Sequence, residues 1–416
     1  VNTTLRHGLV HTAKYFPSLA FCNPDWFRSW VKLRHPKRVV GRDLNKKLGY
    51  TKMRVPVVDQ NHQPLMPTTS ARARKWIASG KAVKRWSDCG QFYVQLTCDP
   101  SGRATQDIVT GIDPGKKFSG IGVQSAKFTL YTDHLILPFQ AVRDRMDTRQ
   151  LMRRGRRGRR INRSCDFSKR AHRQKRFDNR RQRKLPPSIR ANRQLELRIV
   201  SELCQIYPIS EIRYEYVRAD VDLTSGRKKA KSGIGFSPVM VGQKWMLSQL
   251  EAFAPVVKVE GYQTASTRKY LGLTKNKVNK SKAEFNTHAV DGVAIAATAF
   301  VEYRQYHTTK VDGADWFGSV TITPAIFKVI RRPPYSRRQL HLMVPTKGGL
   351  RRKYGGSTTR HGLRKGDLVD SPKGIGYVSG DTEKQVSVSD ANWKRLGQIA
   401  SSKVRLIRRS NGLIVA

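Results

Sequence analysis

The chain has 416 residues, 38% of them hydrophobic, and carries 80 Lys and Arg against 30 Asp and Glu, a formal charge of +50. That length can bury a large core across two or three domains, and that charge repels itself unless a polyanion is present, so nucleic acid is the expected partner. Nothing approaches the roughly 18 apolar residues of a membrane span, no continuous apolar stretch near the start reads as an export signal, and five scattered cysteines without a Cys-x-x-Cys pair argue against a disulfide framework or a structural zinc site.

Residues 1–52 mix aromatic and basic side chains with little periodicity and are expected to form a poorly ordered extension. A strand over 55–58, a turn over 59–63 and Pro64-Leu65-Met66-Pro67 follow. Residues 68–70 offer an N-cap for a short helix containing Arg72, Arg74, Trp76 and Ile77 and closed by Gly80. Strands over 83–86 and 92–96 complete a small β-rich module. Arg72, Arg74, Lys75 and Lys81 either grip a phosphate backbone or are solvated surface.

The stretch 107–125 reads as strand, tight turn, strand, with two apolar runs flanking Pro114-Gly115-Lys116-Lys117. Asp113 ends the first of these strands. Taken alone it is either an ordinary turn residue or a carboxylate placed to hold a cation. A third strand over 128–137 makes three antiparallel strands, the first carrying an acid, as at the opening of an RNase H-like sheet. Segment 149–184 holds 17 Lys and Arg in 36 residues, opposed only by Asp166 and Asp178. Runs of like charge are usually solvated, but Arg forms helices well and binds phosphate bidentately. The segment reads as a helix that orders on RNA or DNA, with a loose tail as the alternative, stopped by Pro186-Pro187.

An amphipathic helix over 188–206 presents Leu195, Ile199, Leu203 and Ile206 on one face. Residues 211–217 alternate as a strand, with Ile212, Tyr214 and Tyr216 on one face and Glu211, Arg213 and Glu215 on the other. A Gly/Lys loop over 224–235, a helix from Ser237-Pro238 to Phe253 and a strand over 256–259 follow. Segment 264–282 is Lys-rich and polar, anchored by Tyr270, Leu271 and Leu273. The Ala-dense helix over 286–300 suits close packing on a sheet and carries His288 and Asp291, three apart, near its N-terminus. A lone His there is commonly a cap or surface residue; the pair beside an apolar helix points to chemistry. Beyond about 330, strands over 340–344, 368–369, 386–388, 404–407 and 413–415 between Gly-rich turns suit a small β-barrel. Its basic residues, among them Arg351, Arg352 and Lys353, suggest a second nucleic-acid surface.

Asp113, Glu215 and Asp291 are carboxylates from distant segments, each on an expected regular element. Phosphodiester cleavage by two divalent cations needs such a cluster, and oxygen ligands suit Mg²⁺. His288 would serve beside them as ligand or proton acceptor.

The order Val-Pro-Val-Val-Asp … Pro-Leu-Met-Pro, Gly-Ile-Asp-Pro-Gly, Arg-rich segment, Tyr-Glu and His-x-x-Asp resembles the transposon-encoded IscB/IsrB proteins from about Arg54 to Ala416. The resemblance implies an α/β fold around an RNase H-like (RuvC) nuclease core split in three, at 104–140, 188–260 and 261–325. It also implies a PLMP module at 53–98, an Arg-rich bridge helix at 145–187 and a C-terminal domain at 330–416 that reads a target-adjacent motif. The extension at 1–52 lies outside the family pattern. Catalysis is then expected from Asp113, Glu215, His288 and Asp291, with two Mg²⁺ ions (or Mn²⁺) held by the three carboxylates. Nucleic-acid contacts are expected from Arg72 and Arg74, from Arg153, Arg154, Arg156, Arg157, Arg159, Arg160 and Arg163, and from Arg351, Arg352 and Lys353. The implied partners are a guide ωRNA and target double-stranded DNA, in a monomeric ribonucleoprotein without a membrane, in a prokaryotic cytoplasm.

IscB-like members carry an HNH nuclease between the second and third RuvC pieces, and HNH chemistry needs His. No His occurs between 216 and 287. The expectation is therefore an IsrB-like, RNA-guided nickase that cuts the displaced non-target strand. The alternatives are a guide-dependent DNA binder without cleavage and an RNA-independent, structure-specific RuvC-type nuclease. Gly292 follows Asp291 where Ala is more usual, at a cost to the helix of up to ~1 kcal/mol.

Overall fold

The computed structural model describes residues 53–159, 164–169, 185–218, 238–307, 312–334 and 359–416. Its architecture is mixed α/β, with four sheets among these residues. The first elements are strands β1 (Arg54–Val58) and β2 (Pro64–Thr69), helix α1 (Ser70–Ala78), and strands β3 (Ala82–Trp86) and β4 (Phe92–Leu96). They form a sheet in the order β2-β1-β4-β3 over a core of Val57, Leu65, Ala73, Ala82, Val94 and Leu96. Asp59 closes the β1–β2 turn by accepting the Asn61 and Gln63 amides at 2.9 and 2.8 Å. Thr69 caps α1, its Oγ1 accepting the Arg72 amide at 3.3 Å. Only Ala73 of that helix is buried, which leaves Arg72, Arg74 and Lys75 in solvent.

Strands β5 (Ile108–Asp113), β6 (Phe118–Ser125) and β7 (Thr129–Ile136) then make an antiparallel meander. Helix α2 (Phe139–Arg159) begins before residue 145, where the Arg-rich helix was expected to start. Arg160, Arg163 and residues 170–184 lie outside the described residues. Helix α3 (Pro187–Cys204) leads to β8 (Glu211–Tyr216), and α4 (Pro238–Leu250) to β9 (Val256–Glu260). Both strands run parallel to β5, in the local order β7-β6-β5-β8-β9. The buried side of this sheet, with Ile112, Ile121, Tyr131, Ile212 and Tyr214, packs on Leu195, Ile199 and Leu203 of α3 and Met246 and Leu250 of α4. The 3.6-residue apolar repeat of α3 meets the two-residue repeat of the strands across this layer.

The polar segment at 264–282 contains more order than its composition suggests. Helix α5 (Gly261–Tyr270) opens it, with Gln263 Oε1 accepting the Glu260 amide at 2.9 Å. A π-helical turn (Phe285–Ala289) then precedes α6 (Val290–Ala297), which is buried along its whole length. Strands β10 (Val301–His307) and β11 (Asp312–Gly318) form a separate antiparallel hairpin where no strands were expected. Strand β12 (Phe327–Arg331) returns to the large sheet, parallel to β7.

Strands β13 (Leu368–Asp370), β14 (Gly376–Asp381), β15 (Gln385–Ser389), β16 (Arg395–Ala400) and β17 (Arg405–Arg408) form an antiparallel sheet ordered β16-β15-β14-β13-β17. Its core is Val369, Val378, Val386, Val388 and Ile399. Among the described residues β16 and β17 are the two edges of this sheet and do not pair with each other. The final strand, β18 (Ile414–Val415), departs from expectation. It pairs with β12 and becomes the edge of the seven-stranded sheet β18-β12-β7-β6-β5-β8-β9. The strand expected over 340–344, with Arg351, Arg352 and Lys353, lies outside the described residues.

Candidate active site

Register places the site. Ile112 pairs with Tyr214 in parallel, so Asp113 and Glu215 occupy the next positions on adjacent strands and project from the same face. Gly111, Gly120, Gly122 and His134 share that face through the β5–β6 and β6–β7 ladders. The π-turn and α6 lie directly on it. A Cβ at Gly111 would stand 2.1 Å from the Gly292 carbonyl oxygen, and one at Gly120 would stand 2.0 Å from the His288 carbonyl oxygen. Glycines in the strands therefore let the helix backbone settle onto the sheet, and the contact depth brings His288 and Asp291 to the end of β5 and β8. Gly292 takes part in the same contact. A Cβ there would meet the Gly122 amide at 2.8 Å and the Gly120 carbonyl carbon at 3.0 Å. Its cost to helix propensity is the condition for close packing.

The Asp113 turn is fixed from behind by α3. Arg193 donates from Nη2 to the Gly115 carbonyl at 2.7 Å and from Nη1 to the Tyr214 hydroxyl at 2.9 Å. Its ion pair with Glu196, 3.0 Å long, is 1% and 0% exposed. Asn192 donates to the Lys116 carbonyl at 2.9 Å, and Ser119 Oγ donates to the Asp113 carbonyl at 2.7 Å. The Asp113 side chain is thus aimed by a rigid loop. Its Oδ2 lies 3.1 Å from His288 Nδ1.

His288 is braced by a second imidazole that the sequence did not single out. His134 and Phe118 pack against it with ring centroids 5.4 and 5.7 Å away. Thr287 Oγ1 donates to the Glu284 carbonyl at 2.7 Å, which leaves its oxygen to accept from His134 Nδ1 at 3.1 Å. His134 is therefore the Nδ1–H tautomer. Burial, and then the neighbouring His288, push His134 down to about 4, so it is neutral near pH 7. The only sequence trace of His134 is a polar side chain within an otherwise strand-like run.

Burial, followed by the charges of Asp113 and Asp291, pushes Glu215 up to about 8. Asp291 is raised by burial and then by Asp113, against the opposing charge of Lys275. Three carboxylates thus converge closely enough to repel one another. Two cations answer that excess: Arg268 of α5 and Lys275 each form an ion pair with Asp291. Glu215 accepts one bond, from Thr264 Oγ1 at 3.5 Å. Among the described residues no three His, Cys, Asp or Glu side chains stand at metal-ligand spacing. The donor set nevertheless has the chemistry a hard divalent cation requires, since it is carboxylate-rich and its repulsion would be relieved by added positive charge.

The expected nucleic-acid residues fall elsewhere. Arg72 and Arg74 are exposed on α1, and Arg153 is exposed on α2. Arg154, Arg156, Arg157 and Arg159 lie on α2, their side chains outside the described set. No helix among the described residues is long and apolar enough to cross a membrane.

Residues 55–235 match a family model described as RRXRR protein. That span contains Arg153-Arg154-Gly155-Arg156-Arg157 and, overlapping it, Arg156-Arg157-Gly158-Arg159-Arg160. The curated proteins give no match. Among solved structures the chain is similar to Thermus thermophilus RuvC in complex with Holliday junction substrate, at 15% identity and a TM-score of 0.25, over 46% of this chain and 92% of that one. It is also similar to CRISPR-Cas12f in a ternary complex, at 14% identity and a TM-score of 0.25, over 55% of this chain and 49% of that one.

Proposed function

We propose that this chain is a RuvC-like nuclease that hydrolyses a phosphodiester bond in one DNA strand, guided by RNA. The observation that carries the reading is that Asp113 and Glu215 end adjacent strands on one face, with His288 3.1 Å from Asp113 and the charges of Asp113 and Asp291 raising Glu215, in a chain of charge +50. The strand order β7-β6-β5-β8-β9, an antiparallel meander followed by two parallel strands, supports an RNase H-like core. The match to the RRXRR family model, a family found in IscB/IsrB-like proteins, supports RNA guidance.

Asp113, Glu215 and Asp291 are the residues that would hold divalent ions, with Mg²⁺ suited to their oxygen donors. Such ions, when bound, acidify water and stabilise the developing charge on the phosphate and leaving oxygen. The chain's own residues do the rest. With its Nδ1 proton directed to Asp113, His288 keeps an Nε2 lone pair to take a proton from water; that nitrogen is buried and without a protein partner. Arg268 and Lys275, once displaced from Asp291, are donors for phosphate oxygens beside the scissile bond.

The finer reading is an IsrB-like nickase that cuts the displaced strand. In it, residues 53–98 form the PLMP module, 145–187 the bridge helix and 330–416 the domain that reads the adjacent motif. Base pairing with ωRNA selects the target, and the arginines hold backbones. A second reading, guide-dependent binding without cleavage, is favoured by one observation: both Asp291 oxygens are already engaged by cations. One assay separates them. Full-length protein co-purified with its RNA is incubated with supercoiled plasmid bearing the matching target, with Mg²⁺ or EDTA. Open-circular product that needs both RNA and Mg²⁺ supports the nickase. Retarded but uncut plasmid supports the binder, and cleavage of four-way junctions by RNA-free protein would replace both with a structure-specific nuclease.

A further inference from the structure

Outside the carboxylate cluster, the described residues include a group of aromatic rings in contact with one another and partly open to solvent. Tyr303 of β10 and Trp316 of β11 are directly opposite in the hairpin register, with ring centroids 5.5 Å apart. Tyr270, the last residue of α5, stacks on Trp316 at 4.3 Å with the planes 12° apart. Packing the hairpin against α5 explains the Trp316–Tyr270 stack. It does not explain why Tyr303 and Tyr270 remain 57% and 47% exposed. Large apolar surfaces left in water are unfavourable and mark sites where something binds.

The surroundings say what binds. Between Gly261 and Ala283 there are six Lys and Arg and no Asp or Glu. Two residues before Tyr270, Arg268 reaches back to Asp291. Arg268 and Lys269 close α5 immediately before Tyr270, and Lys275 in the loop beyond it also pairs with Asp291, so positive charge flanks the aromatic face on the side that leads to that carboxylate. Aromatic rings beside positive charge fit unpaired nucleobases, which stack while their phosphates are neutralised. We propose that Tyr270, Tyr303 and Trp316 form a base-stacking platform for a DNA single strand that runs along α5 toward Asp291. The strand's destination rests on the nuclease reading; the platform itself does not.

The test uses purified full-length protein in EDTA, so no cleavage intervenes. Binding of labelled oligothymidylate is measured by anisotropy beside oligouridylate and a DNA duplex, for wild type, Tyr303→Leu and Tyr303→Phe. Loss of a base stack should weaken oligothymidylate binding by about 5-fold or more in the Leu variant. The Phe variant should bind like wild type, and duplex affinity should not move. Photo-cross-linking of a 5-iododeoxyuridine oligonucleotide to the wild-type chain should map to peptides holding Tyr270, Tyr303 or Trp316, which decides the matter should Tyr303→Leu fail to fold. Cross-links confined to other peptides, an equal loss for duplex, a loss only for oligouridylate, or unchanged binding by a folded Tyr303→Leu would each overturn the platform. Metal-dependent nicking that survives such a result leaves the nuclease intact, and a bound platform without nicking removes only the nuclease.

Discussion

Asp113 is the side chain whose position is most heavily determined. Its strand ends on it, Ser119 holds its own carbonyl, and Arg193 and Asn192 hold the carbonyls of Gly115 and Lys116 in the turn. Truncating the carboxylate leaves that frame intact, so Asp113→Ala should lower RNA-guided nicking by on the order of a thousandfold or more while DNA binding persists. Equal nicking rates for the two proteins would remove the residue from the site. Glu215 offers a readout that needs no activity. An unfolded Glu titrates near ~4.3, whereas burial and the charges of Asp113 and Asp291 push this one up to about 8. Between those values the folded chain keeps a proton that the unfolded chain has released, so stability falls as pH rises. The loss is absent below the lower value and complete above the upper one. Asp133, pushed up to about 8 by burial, and Glu196, pushed up to about 7 by burial, act in the same direction. In EDTA, Tm should therefore drop across this window, and Glu215→Gln should flatten part of the drop. Added Mg²⁺ should raise Tm mainly at the alkaline end, and a Glu215→Gln profile that overlays the wild type would contradict the assignment.

Elements meet here through missing side chains. The α6 helix rests on β5 and β6 because Gly111, Gly120, Gly122 and Gly292 leave backbone against backbone. Gly292→Ala gains up to ~1 kcal/mol of helix propensity. It also inserts a methyl within 3.0 Å of three backbone atoms of residues 120–122 that cannot swing aside. Overpacking of this kind costs roughly 1–3 kcal/mol, so the variant should melt at lower temperature; a higher Tm would mean that the helix rides further from the sheet. What the sequence made legible follows from the range of the forces involved. The alternation of Ile212 and Tyr214 against Arg213 and Glu215 is local, and the strand appears with those faces. The β10–β11 hairpin carries no such signal, because residues 302–305 are exposed on both faces and nothing forces alternation. Likewise, the apolar run near Leu413 marks a strand but not its partner. Pairing with β12 depends on where the chain has been carried by the preceding sheet. The acids of the site were readable as residue types; Arg268 and Lys275, which balance Asp291, and His134, which braces His288, were hidden because partnership across 16–154 positions leaves no local pattern.

At the scale of the molecule, charge is the dominant property, and it is distributed over several surfaces. Arg72 and Arg74 project from α1 with only Ala73 of that helix buried, and Arg153 stands exposed on α2. The helix α5 and the loop after it add a third basic surface. Each phosphate neutralised by such a side chain releases condensed counterions, so log Kd should change with log salt by a slope near the number of contacts. A complex with 6–10 such contacts loses about 10³–10⁵ in affinity between 50 and 200 mM salt. The exposed arginines of α1 lie outside the carboxylate cluster, which makes them separable from it. Replacing Arg72 and Arg74 together by Ala should weaken nucleic-acid binding at every salt concentration and reduce the magnitude of the slope by about 2. The cleavage rate at saturating protein should stay the same, because no group at the Asp113 site changes. Anisotropy titrations across a salt series, paired with single-turnover nicking, measure both quantities in one preparation. An unaltered slope would place α1 away from the polyanion. A reduced slope together with a slower saturated rate would mean that the same arginines also set where the strand lies relative to the carboxylates, and backbone contact and catalysis would then be coupled through the position of one bound nucleic acid.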